Sequence, residues 1–63
     1  MYLVVINEAY FDSEEKYEFQ SLTEANNFLY EGGFVYDSFD DDTQQHLWVF
    51  GEYIYGTVEK IRQ

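Results

Sequence analysis

From Tyr2 to Ile6 the chain is apolar without a break, and Asn7-Glu8-Ala9-Tyr10 follows. A run that does not alternate marks a strand buried on both faces, so residues 2–10 are expected to form an interior strand. Phe11-Asp12-Ser13-Glu14 has turn chemistry through Asp and Ser. The next segment, Glu15-Lys16-Tyr17-Glu18-Phe19-Gln20, alternates with Tyr17 and Phe19 inward and the charged residues outward, as a half-exposed or edge strand requires.

The period then changes. Ser21-Leu22-Thr23-Glu24 has the form of a capping box, and Leu22, Ala25, Phe28 and Leu29 follow at helical spacing. Gly32 and Gly33 end the helix, since Gly takes the left-handed conformation at a C-cap without steric cost. A helix of about ten residues is roughly 15 Å long and covers the middle of one sheet face. Phe34-Val35-Tyr36-Asp37-Ser38-Phe39 reads as the third strand, and the polar run from Asp40 to Gln45 connects it to a hairpin over 46–58. The tail 59–63 is expected to prolong the last strand before fraying.

That hairpin places the pair Gly51-Glu52 between two β-prone runs, and Gly in the first central position suits a two-residue type II′ turn. Counting outward pairs Phe50 with Tyr53, Val49 with Ile54, Trp48 with Tyr55, Leu47 with Gly56 and His46 with Thr57. Alternation then puts Trp48, Phe50, Tyr53 and Tyr55 on one face and Leu47, Val49, Ile54 and Val58 on the other. The helix stripe is expected to cover the aliphatic face, leaving the aromatic one as a binding surface. Gly56 is expected to mark a bulge or a close approach. The order β-β-α-β-β-β gives an α+β fold: a single-domain two-layer sandwich of an antiparallel sheet with one helix on one face.

Composition sharpens this picture. A chain of 63 residues has a small core, and with no cysteine it has neither disulfides nor a thiolate metal site. Fourteen of the residues are Phe, Tyr or Trp, so large rings must supply the buried area. Thirteen acidic residues against three basic ones give a net charge of −10. A folded chain of this size exposes roughly 4,300 Å2, about one net negative charge per 430 Å2. Such a field disfavours nucleic acid and anionic membranes and steers basic partners inward. No signal peptide or membrane span is visible, and a cytoplasmic location is expected.

Recognisable chemistry is scarce. His46 is the sole histidine and has no cysteine partner, so no catalytic residue is assigned and the chain is expected not to be an enzyme. Gly32-Gly33 follows a helix instead of preceding one and offers no phosphate cradle. The run Asp40-Asp41-Asp42 lacks the alternating ligands, turn glycine and closing Glu of a calcium loop. No metal and no cofactor are expected. What stands out is acidity interleaved with aromatics: Glu8, Asp12, Glu14, Glu15 and Glu18 around the first hairpin, and Asp37, Asp40, Asp41 and Asp42 after the third strand. Carboxylates two apart on a strand lie ~6.6 Å from each other on one face, a spacing that imitates a phosphate backbone.

Small size, strong acidity, absence of cysteine, abundant aromatics and a sheet-plus-helix order together resemble, as a class, the DNA-mimic inhibitors that phages and mobile elements encode against restriction, CRISPR or DNA-repair enzymes. The resemblance implies a non-enzymatic inhibitor in the host cytoplasm that binds a basic, DNA-binding host protein, without binding nucleic acid itself. On that reading Glu14, Glu15, Glu18, Asp37, Asp40, Asp41 and Asp42 supply charge, and Trp48, Phe50, Tyr53 and Tyr55 supply anchors. The competing expectation is a structural or assembly module that forms a homodimer through the exposed aromatic face.

Overall fold

The computed structural model describes residues 1–61, apart from the side chain of Asp12. Strands β1 (Tyr2–Glu8), β2 (Phe11–Phe19), β3 (Val35–Asp40), β4 (Gln45–Phe50) and β5 (Ile54–Lys60) form one antiparallel sheet in the order β2-β1-β5-β4-β3. The single helix α1 (Leu22–Glu31) packs on one face, which is the expected α+β sandwich. β1 is interior, as its unbroken apolar run predicts, with β5 at the centre.

The helix forms where the sequence places it. Ser21 is extended and its Oγ accepts from the Glu24 amide at 3.1 Å, while its hydroxyl donates to Glu24 Oε1 at 3.3 Å. Ala25 and Leu29 are fully buried against Val4, Val58 and Trp48, with Leu22 and Phe28 packed around them. At the other end Gly33 takes φ +93° and the Phe34 amide donates to the Leu29 carbonyl at 3.0 Å, which turns the chain into β3. Gly56 is a close approach: a Cβ there would stand 3.2 Å from Leu29 Cδ2. The helix therefore rests on the backbone of β5.

Two expected boundaries move. The first turn is at Ala9-Tyr10, and the segment expected to turn, 11–14, belongs to β2. The reason is a register shift between Asn7 and Glu8, which pairs Glu8 with Phe11; a bulge absorbs the Asp and Ser that otherwise signal a turn. The third strand runs 35–40 instead of 34–39, with its own irregularity between Tyr36 and Ser38. The tail prolongs the last strand as expected, with β5 running to Lys60 and the Ile61 amide donating to the Met1 carbonyl at 3.0 Å; Arg62 and Gln63, where fraying is expected, lie outside the described residues.

The largest correction concerns the β4–β5 hairpin. Its loop has three residues, Gly51-Glu52-Tyr53, and Phe50 pairs with Ile54, Val49 with Tyr55, Trp48 with Gly56 and Leu47 with Thr57. The two-residue turn fails because Tyr53 is claimed by the neighbouring turn: its carbonyl accepts from the Ala9 amide at 2.7 Å and its ring meets Tyr10 edge-on at 4.8 Å. A one-residue slip moves one strand's side chains to the opposite partner set. Trp48, opposite Gly56, consequently lies on the helix face and is only 6% exposed.

Candidate functional site

The faces of the sheet follow from the register. On the helix side Tyr2, Val4 and Ile6 continue across to Phe19, Tyr17 and Glu15 of β2 and to Lys60, Val58 and Gly56 of β5. Trp48 belongs to this side, as does Phe50, whose ring lies 5.4 Å from that of Phe34. Beyond the reach of the helix, Tyr36 stands edge-on to Trp48 at 5.3 Å, and its hydroxyl lies 3.1 Å from Nδ1 of His46, whose ring is tilted against that of Phe39 at 4.8 Å. His46 is half-buried among rings, with no carboxylate in that hydrogen bond.

The aromatic ladder expected as an exposed face therefore does not exist as one surface. Trp48 is core; Phe50 lies on the helix face at 43% exposure, Tyr55 on the open face and Tyr53 in the loop. Nor is the opposite set covered: Leu47 and Val49 point to the open face, while Ile54 and Val58 lie under the helix side. The slipped register is the cause, since it mixes rings and aliphatics that a two-residue turn sorts apart.

The open face has its own pattern. Following the pairs across all strands at one end gives a row: Glu18 of β2, Leu3 of β1, Glu59 of β5, Gln45 of β4 and Asp40 of β3. Directly opposed residues share a face, and strands lie ~4.8 Å apart, so the three carboxylates stand ~10 Å from one another over a width of ~19 Å. Gln45 fixes the middle one, donating from Nε2 to Glu59 Oε2 at 3.3 Å. Asp41 and Asp42 extend the row into the β3–β4 turn, where the Asp42 amide donates to Asp40 Oδ1 at 2.9 Å. Leu3 within the row and Val5 and Leu47 behind it are half-buried, and Val49, Val35 and Tyr55 are exposed.

The structure therefore brings Glu18 and Asp40 to one edge of one face, with Asp41 and Asp42 in the adjoining turn, and adds Glu59, which the sequence places in the tail that prolongs the last strand. The signal was available: Glu59 falls two residues beyond Thr57 on the same face of the last strand. Glu15 is on the opposite face, beside Tyr17, and Asp37 sits at the irregularity of β3. Glu14 shares the open face with Glu18, but Lys16 stands between them and lies 3.9 Å from the Glu14 carboxylate, the one ion pair among the described residues. The ~6.6 Å ladder of carboxylates along β2 is thus interrupted. Over ~19 Å of duplex DNA the backbone carries about 11 charges, so a row of three carboxylates is several-fold sparser than a phosphate backbone. Among the described residues no group of three or more His, Cys, Asp or Glu is arranged to hold a metal ion, and no helix is long and apolar enough to cross a membrane.

Compared with known proteins, the chain matches no protein-family model, no curated protein and no solved structure.

Proposed function

We propose that this protein is a non-enzymatic inhibitor, encoded by a phage or mobile element, that binds a basic surface of a host nucleic-acid-binding protein and excludes DNA from it. The observation that carries the proposal is the carboxylate row Glu18, Glu59, Asp40 with Asp41 and Asp42, set along an open sheet face whose floor is apolar. Carboxylates along one edge of a largely apolar face supply steering at the rim and desolvated contact at the centre. The field is also largely uncompensated, since Lys16 and Lys60 are the only lysines and the net charge is −10. Pairing two copies through this face would set −10 against −10, which opposes a homodimer in low salt. Capture with the intact protein as bait tests the proposal. A nucleic-acid-binding protein should be retained and released by added duplex DNA; recovery of partners that DNA does not displace overturns it.

A further inference from the structure

Helix α1 leaves one end of its own sheet face uncovered, beyond its C-terminus. There Ile6, Phe34, Phe50 and Ile54 floor a groove of about 240 Å3, walled by Gly32, Glu8 and Glu15. Glu8, half-buried, ends β1, and Glu15 is opposite Ile6. The bulge after Asn7 separates Glu8 from the regular ladder, and both carboxylate-bearing residues line the same groove. Glu15 is held by the Tyr17 hydroxyl, which donates to its Oε2 at 2.9 Å.

The last turn of α1 has no basic residue, and Glu31 closes it, so no side-chain cation offsets the negative end of the helix dipole where Gly32 lines the groove. The lysines lie elsewhere. Lys16 is opposite Val5 on the open face, and Lys60 is opposite Tyr2 at the far end of the sheet. An apolar floor, two carboxylates and a helix C-terminus are complementary to a cation on an apolar stem. The Phe34 and Phe50 rings, tilted 53° to each other, favour a flat, weakly hydrated cation over a compact ammonium.

We propose that this groove is a recognition site for an arginine side chain presented by a protein partner, the stem on Ile6 and Ile54 and the guanidinium between Glu8 and Glu15. It lies on the opposite side of the sheet from the carboxylate row and holds or fails independently of it. The test is amide chemical-shift titration of the whole protein with n-butylguanidinium, in parallel with n-butylammonium, guanidinium and n-butanol at equal low-millimolar concentrations. Saturable shifts should centre on Ile6, Gly32, Phe34 and Ile54, with a dissociation constant of about 1 mM. Guanidinium, n-butylammonium and n-butanol should each bind more weakly. Glu8→Gln with Glu15→Gln should weaken n-butylguanidinium about tenfold, whereas Glu18→Gln on the open face should leave it unchanged. Non-saturating shifts spread over all the acidic residues, or unaltered binding to the Glu8→Gln, Glu15→Gln protein, would overturn the site; tighter binding of n-butylammonium would overturn its assignment to arginine.

Discussion

Replacing Gly33 by Ala strikes the joint between helix and sheet, and its cost can be worked from the geometry. Gly33 has φ +93°, and a Cβ there would stand 2.8 Å from Phe50 Cε2. The left-handed conformation costs a non-glycine residue about 1–2 kcal/mol, and displacing the Phe50 ring from its rotamer adds about 0.5–1.5 kcal/mol. Restricting the unfolded chain returns about 0.4–1 kcal/mol. The net loss is near ~2 kcal/mol, against ~3–9 kcal/mol for a domain of this length. Urea unfolding followed by the fluorescence of Trp48 reads it directly, because this sole tryptophan is buried. With a slope of ~1 kcal/mol per molar urea, the midpoint falls by ~2 M. In a Phe50→Ala background the ring contact is gone, so the same substitution should cost only the backbone part, about 1 kcal/mol less. An unchanged midpoint, or an equal cost in both backgrounds, refutes the contact.

Other expectations follow from single features. Acrylamide should quench Trp48 poorly in the native state, and Trp48→Ala should cost about 3–5 kcal/mol, enough to unfold much of the population; efficient quenching would return Trp48 to the surface. Ser21→Ala removes the acceptor of the Glu24 amide and should cost about 1 kcal/mol in the same urea assay, and no loss would show the cap to be decorative. The hydrogen bond from Tyr17 to Glu15, with lesser help from desolvation and the nearby negative charge, raises the phenol pKa above its usual 10.0. The folded state therefore keeps this proton longer, so the stabilisation is complete below pH 10 and lost as pH rises through the raised value. Glu15→Gln should bring the Tyr17 titration midpoint down, and an unmoved midpoint would remove Glu15 as the cause.

Local chemistry made much of this fold legible in the sequence, and non-local contact decided the rest. The helix was readable because Ser21, Glu24, the Leu22–Leu29 stripe and the Gly pair all act within a few residues. The hairpin misled because its register depends on Tyr53, whose carbonyl is bound to Ala9, more than forty positions earlier in the chain. That single competition moved Trp48 from the expected surface to the core. The acidic surface was half legible for the same reason. Composition announced the charge, but only the pairing of Leu3 with both Glu18 and Glu59, and of Gln45 with Asp40, aligns three carboxylates on one face.

The central claim is that this row recognises a basic partner. Its most direct test is quantitative capture by the native protein and by a Glu18→Gln, Glu59→Gln, Asp40→Asn variant, whose near-isosteric substitutions lie outside the buried core. The account predicts a nucleic-acid-binding protein retained by the native bait, displaced by duplex DNA and by salt, and lost from the variant. Equal retention by both baits would contradict it.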